Sequence, residues 1–244
     1  MRYKITFSYD GTLFHGYQKQ VGYRSVEECF EKALYDINNH TETKIYSSGR
    51  TDKGVHAKGQ VAHFDLDIDI TLYKLKCALN SLLPDDIHVI DTEAVDDSFH
   101  SRFMVKNKKY VYYMNIGEYD PLNRNYIYQY NHDIDVDKMK EGIKYYIGKH
   151  NFKNFVSDDC IKEDYEREIY DAYIERDKDI IKFVFIGNGF MKYQVRNMVG
   201  TLIKVGKNKI NSSDIEKILI DESYKKLVMT AKSEGLYLEE VNYE

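Results

Sequence analysis

Apolar and polar residues alternate from the second position onward. In RYKITFSY, residues 2–9, Tyr3, Ile5, Phe7 and Tyr9 share one face, the two-residue period of a half-buried strand, and Asp10-Gly11 supplies its stop. The period then changes. In SVEECFEKALYDI, Val26, Cys29, Phe30, Ala33, Leu34 and Ile37 recur at three- and four-residue intervals, which is one stripe of a helix, and Ser25 with Glu28 forms a capping box. Strands over 43–48 and 60–67 flank the stretch SSGRTDKGVHAKG, residues 47–59, and put it on a loop at strand ends, where a scaffold holds chemistry in place. A helix over 71–82, stopped by Pro84, leads to strands over 87–98 and 108–116. The strand YIYQY and a helix over 136–147 come next, the helix presenting Val136, Met139, Ile143 and Ile147. Strands over 168–176 and 180–186 precede a helix over 191–205 with an apolar stripe of Met191, Val195, Met198, Val199 and Leu202. A short helix over 213–220, capped by Ser213 and Glu216, and a strand over 235–241 complete the pattern. Short connections between strands, with helices interposed, predict an α+β protein: antiparallel sheet with helices packed on one side. The order recurs, so two similar halves are expected, 1–105 and 106–244, without a low-complexity linker between them.

Composition adds little to this outline. A chain of 244 residues, 43% hydrophobic and 31% charged, has the balance of a soluble globular protein long enough to bury a full core. There is no secretory leader pattern and no run of eighteen apolar residues, so a cytoplasmic protein without membrane contact is expected. Cys29, Cys77 and Cys160 are far apart, without C-x-x-C pairing, and are read as reduced, buried thiols.

Charge changes the picture more. The net charge is −5, which argues against a polyanion partner only while the average is considered. Residues 11–26, 43–64, 98–117 and 187–213 carry 15 Lys and Arg against a single acid, Asp52. Four such segments converging in space would make a polyanion-binding face on an acidic body. The ordinary alternative is a set of loops and helices with Lys on a wet face.

Several familiar chemistries are excluded. GRTDKG has the glycine spacing of a phosphate loop, but Val55 and His56 stand where Lys and Ser or Thr are required. His56 and His63 lack a third ligand at zinc spacing, so no metal is expected. No second carboxylate of a glycosidase pair lies near Asp52. KKYVYYMNIG is basic and aromatic but lacks the glycines of an RNA-recognition strand. What remains is Asp52 between Arg50 and Lys53. A lone Asp in a loop is ordinarily a turn residue; a carboxylate in such basic surroundings, paired with a cation in a pocket, is a nucleophile or a base. Arg196, at the margin of a helical stripe, is the candidate cation, against the ordinary reading of a snorkelling side chain. Tyr110 and Tyr112, following Lys108 and Lys109, read either as core or as a base-stacking platform.

Six motifs in order, YDGTLFHGYQ at 9–18, GRTDKGVHA at 49–57, FHSRF at 99–103, KYVYY at 109–113, VRNMVGTLIKVG at 195–206 and EGLYL at 234–238, resemble those of the bacterial tRNA pseudouridine synthase A family over essentially the whole chain. The resemblance implies an isomerase that converts uridine to pseudouridine at positions 38 to 40 of the tRNA anticodon stem-loop, without cofactor or metal. It implies two ferredoxin-like halves sharing an antiparallel sheet across a central basic cleft, and a homodimer that holds one tRNA across both subunits. Asp52 matches the family's catalytic aspartate, Tyr110 the tyrosine that stacks on the target base, Arg196 the residue that pairs with the aspartate, Leu236 an apolar pocket contact, and Arg50 the residue that enters the RNA helix where the base leaves. Lys53, Lys58, Arg102, Lys108, Lys109 and Lys192, all in the acid-poor segments, are further candidate RNA contacts. Tyr17 stands where the family usually has Trp, and Gln194 where Met is common. The same chemistry on another RNA, or an RNA-binding protein without activity, are the alternatives.

Overall fold

The computed structural model describes residues 1–161 and 163–243. Its strands and α-helices run in the order β1 (Arg2–Tyr9), α1 (Val26–Ile37), β2 (Tyr46–Ser47), β3 (His56–Asp65), α2 (Leu72–Leu82), β4 (Ile87–Val95), β5 (Asn107–Asn115), β6 (Tyr128–Gln129), α3 (Val136–Ile143), β7 (Gly148–Asn151), β8 (Glu166–Asp177), β9 (Ile180–Gly187), α4 (Gln194–Gly206), α5 (Asp214–Ile220) and β10 (Leu236–Asn242). The protein is α+β, and its residues cluster into two compact units, Met1–Lys106 with Tyr237–Glu244, and Asn107–Leu236.

In the first unit β1 pairs antiparallel with both β3 and β4, and β2 pairs antiparallel with β3. This is the 4-1-3-2 strand order of a ferredoxin-like βαββαβ unit. Tyr3, Ile5, Phe7 and Tyr9 are buried, as their alternation predicts, and Phe7 meets Phe30 of α1 edge to face with centroids 4.6 Å apart. Ser25 accepts the Glu28 N–H at the start of α1, and Thr71 accepts the Lys74 N–H at the start of α2. The outer edge of β3 is divided. Its second half pairs with β2, Tyr46 opposite His63, and its first half pairs with β10, Tyr237 opposite His56. That second pairing is parallel, so the sheet is mixed where the sequence reads as purely antiparallel. A parallel partner needs a long crossover, and β10 supplies it by returning to this unit after the whole of the other.

In the second unit β5, β9, β8 and β7 lie side by side, all antiparallel, and β6 runs parallel to β5. The Tyr146 ring lies 6.4 Å from Phe185 of β9, and its hydroxyl donates to the Met198 carbonyl of α4. β7 is not legible as a strand: GKHN has no apolar alternation, and it is held only as an edge by β8. α3 ends at Ile143 and tightens into a 3-10 turn, leaving Ile147 exposed. Ser213 precedes α5 but makes no side-chain cap; Asp214 instead takes the Asn211 N–H at 2.8 Å. The three cysteines are free, as expected, but none is fully buried. Cys77 lies on the wet side of α2, between the buried Leu75 and Leu79, and Cys29 sits at the edge of the α1 stripe, where burial pushes its thiol up. Among the described residues no helix is long and apolar enough to cross a membrane.

Candidate active site

The loop between β2 and β3 is fixed at both ends and in its middle. At its entry the Ser48 N–H donates to the Val61 carbonyl (2.7 Å), the Ser48 hydroxyl to Gln60 Oε1 (2.7 Å), and Gln60 Nε2 to the Gly49 carbonyl (2.9 Å). In its middle the Thr51 hydroxyl shares a 2.7 Å hydrogen bond with Tyr9, and the Thr51 carbonyl accepts the Tyr17 N–H (3.1 Å). Burial pushes the Tyr9 hydroxyl up to about 12, so this phenol stays neutral through the physiological range. At the exit the Gly11 N–H donates to His56 Nδ1 (3.0 Å), and the His56 ring stacks on Tyr237 with centroids 4.7 Å apart.

Two glycines of YDGTLFHGYQ explain why this first motif accompanies GRTDKGVHA. A Cβ on Gly11 would lie 2.0 Å from the Val55 carbonyl oxygen, inside any tolerable contact. Gly16 has φ of +97°, and its Cβ would lie 3.0 Å from the Thr51 carbonyl oxygen, beside the Asp52 and Lys53 main chain. The two motifs are halves of one object, a loop pressed against main chain that has no side chain to keep it away.

Within this frame Asp52 is half-buried, and its carbonyl accepts the Val55 N–H (3.2 Å) across a turn in which Gly54 takes φ of +75°. The bland reading is thus correct for the main chain, for Asp52 opens a turn. That turn is closed by backbone, so its closure makes no demand on the carboxylate. Arg50 and Lys53 are exposed on either side. Arg102, from the segment after β4, is exposed overall, but partial desolvation of its guanidinium and the Arg50 charge together lower its pKa. Lys58 is engaged elsewhere, 3.1 Å from Glu239 and over the Tyr237 ring.

The remaining candidates belong to the second unit. Tyr110 on β5 is buried but for 7% of its surface and meets Phe190 edge to face at 5.0 Å. Tyr112, two residues on, is wholly buried and donates its hydroxyl to the Lys232 carbonyl, so of the two readings open for it core packing holds. Lys108 and Lys109 precede them on β5, paired with Gly187 and Ile186. Arg196 lies in the first turns of α4, a helix buried on nearly every side, and is itself half-buried. Its Nε donates to the Ala231 carbonyl (2.8 Å), its own carbonyl accepts the Ala231 N–H (3.0 Å), and its guanidinium lies 4.8 Å over the Tyr193 ring. A snorkelling side chain needs none of these. Tyr193 itself takes φ of +65° ahead of the helix. Leu236 is buried at the start of β10, and Lys192 is exposed and bridged to Asp159. Among the described residues no group of three or more His, Cys, Asp or Glu is placed to hold a metal.

Sequence patterning does not reveal Tyr9, Thr51, Gln60 or His56 as supports of the loop. A signal was available for Gly11 and Gly16, whose spacing inside the first motif has no secondary-structure reason.

A family model described as tRNA pseudouridine synthase matches residues 5–104 and 143–244. A tRNA pseudouridine synthase A of Streptococcus uberis is 44% identical over the whole of this chain and 98% of its own length. One of Streptococcus pyogenes is 41% identical over the whole chain and 99% of its own length. A solved Cbf5-Nop10-Gar1 complex aligns over 93% of this chain and 60% of its own at 12% identity, with a TM-score of 0.36.

Proposed function

The chain belongs to the tRNA pseudouridine synthase family, whose members are isomerases, and we propose that it converts uridine to pseudouridine at positions 38 to 40 in the anticodon stem-loop of tRNA. The observation that carries this is the full-length similarity to relatives bearing that name, together with a motif Asp held on a loop that its own main chain and two glycines fix.

The reaction is redox-neutral. The bond from the uracil N1 to the ribose C1′ breaks, the ring turns, a bond from C5 to C1′ forms, C5 loses its proton and N1 ends with one. In this reading Asp52 is the reacting carboxylate, and it serves as nucleophile toward the sugar carbon or the ring, or as base toward a sugar proton; each route needs the same ionised, fixed group. Arg196 is assigned as the cation that pairs with it, and Tyr110 as the ring on which the extruded base stacks, with Leu236 as the apolar contact. Extrusion costs a few kcal/mol, which stacking and the insertion of Arg50 offset. The basic residues Lys53, Lys58, Lys108, Lys109 and Lys192 complete the RNA contact, Lys58 and Lys192 first exchanging their carboxylate partners for phosphate. A cytoplasmic homodimer holding one tRNA across both subunits completes the proposal.

The test is to map pseudouridine in tRNA treated with wild-type protein and with Asp52→Asn. The wild type is expected to modify positions 38 to 40, and the variant to lose the product by on the order of 10⁴-fold while still binding tRNA. Turnover retained by Asp52→Asn, or product only in another RNA, refutes the assignment.

A further inference from the structure

Residues 99–104, FHSRFM, follow β4 and are tied down on three sides. The Ser101 N–H donates to His63 Nδ1 (3.2 Å), the Ser101 hydroxyl donates to the Tyr46 carbonyl, and the Ser101 carbonyl accepts from the Tyr243 hydroxyl (2.6 Å). The Met104 N–H closes onto the His100 carbonyl (3.1 Å), and the Arg102 N–H donates to His100 Nδ1 (3.1 Å). His63 is buried, and burial with the neighbouring His100 lowers it to about 4, so the imidazole is neutral and keeps the lone pair that Ser101 needs.

A turn held this firmly displays the three residues after Ser101. Arg102, Phe103 and Met104 are all exposed, Phe103 by 78%. The Phe103 ring lies against His100 with centroids 4.2 Å apart, and Tyr46, 48% exposed, lies nearly flat on His63 at 5.1 Å. These rings are already ordered by what stands behind them, so a flat partner costs them little further freedom. A single exposed Phe is ordinary. This one follows Arg102 in a turn that Ser101 ties to β2, and the charge of Arg50, in the loop leaving β2, reaches Arg102. Glu27 is the carboxylate whose charge reaches Arg102, and its Oε2 already accepts the Lys19 N–H at 2.7 Å. A guanidinium beside another positive charge gains from an anion, and phosphate matches its planar N–H geometry. The surrounding segment, 98–117, contains no acid.

The geometry points to the 100–104 turn as an RNA contact, in which Arg102 takes a backbone phosphate and Phe103 stacks on a neighbouring base. Arg102 is then a positioning residue, fixing the strand from which the nucleotide swings. This rests on the RNA reading above and extends it to residues outside the motif loop.

The test measures binding of a tRNA transcript across a series of salt concentrations for wild type, Arg102→Gln, Arg102→Lys and Phe103→Ala, with steady-state kinetics beside it. Arg102→Gln is expected to weaken binding about tenfold and to lower the slope of log affinity against log salt by about one, with the kinetic loss falling mainly on KM. Arg102→Lys keeps the slope. Phe103→Ala weakens binding about tenfold with the wild-type slope, because stacking releases no counterions. Wild-type affinity and slope in both Arg102→Gln and Phe103→Ala overturn the contact even when the enzyme makes pseudouridine. A wild type that makes no pseudouridine yet loses one unit of slope on Arg102→Gln overturns the proposed function and upholds the contact.

Discussion

The loop carrying Asp52 and the helix carrying Arg196 hold a charged side chain by opposite means. The loop has almost no apolar surface of its own. It is fixed through main-chain groups: Gln60 and Val61 at its entry, Tyr17 at Thr51, and the close approach of Gly11 and Gly16. The helix is fixed by burial, with Val195, Met198, Val199, Leu202 and Ile203 all enclosed, and a single reciprocal exchange with Ala231 aims the guanidinium. Burial is non-directional and forgiving of small changes; main-chain contact is directional and is not. Substitutions near the loop are therefore expected to act on position, and those in the helix on stability shared by many contacts.

Gly16→Ala breaks the comparison at its most sensitive point. The new methyl meets the Thr51 carbonyl at 3.0 Å in a backbone conformation that disfavours any side chain, so the loop has to shift. A displacement of about 1 Å costs roughly 10²-fold in rate. Pseudouridine formation by Gly16→Ala at saturating tRNA is expected to fall by that factor, and a rate within twofold of wild type means that the glycine does not set the loop.

Arg196→Lys sharpens the helical side. Lysine keeps the charge but cannot donate from the Nε position to Ala231 or stack a planar group on Tyr193. An activity loss of about tenfold is expected, with a stability loss of about 1–2 kcal/mol in denaturant unfolding. Full activity in this variant would show that charge alone suffices and that the aim of the guanidinium is immaterial.

The smallest effect is a dependence on pH. His63 titrates near 4 in the folded protein and near 6.5 when unfolded. Between those values the unfolded chain binds a proton that the native state refuses, so this contribution is complete above about pH 6.5 and is lost as pH falls. The expected loss at pH 5.5 is about 1 kcal/mol, read from unfolding midpoints. His63→Asn, whose side-chain oxygen still accepts from Ser101, should show a correspondingly shallower decline; an identical decline assigns the effect to other groups.

Much of this was legible in the sequence, unevenly. α1 could be drawn from Ser25 and six apolar positions because local period and cap agree, and the structure keeps both. β7 and the missing Ser213 cap were not legible, since neighbouring strands and loops decide them rather than their own residues. The start of β3 at His56, inside the motif, comes from the pairing of Ala57 with Tyr9 and of His56 with Tyr237, both remote in sequence. For the site, Asp52 stood out as the one acid of four basic segments. The reach of the Arg50 charge to Arg102 did not, because the place of the Arg102 turn depends on Ser101 bonding Tyr46 and His63, a tertiary arrangement with no period to announce it.

The divided edge of β3 has a consequence for timing. Tyr237, which lies against His56 and backs the exit of the Asp52 loop, is translated after the whole of the second unit. A polypeptide still being made on the ribosome carries Asp52 long before it carries that brace. The last brace of the loop thus arrives late in synthesis, and a half-made chain that meets RNA does so with the loop's exit unbacked.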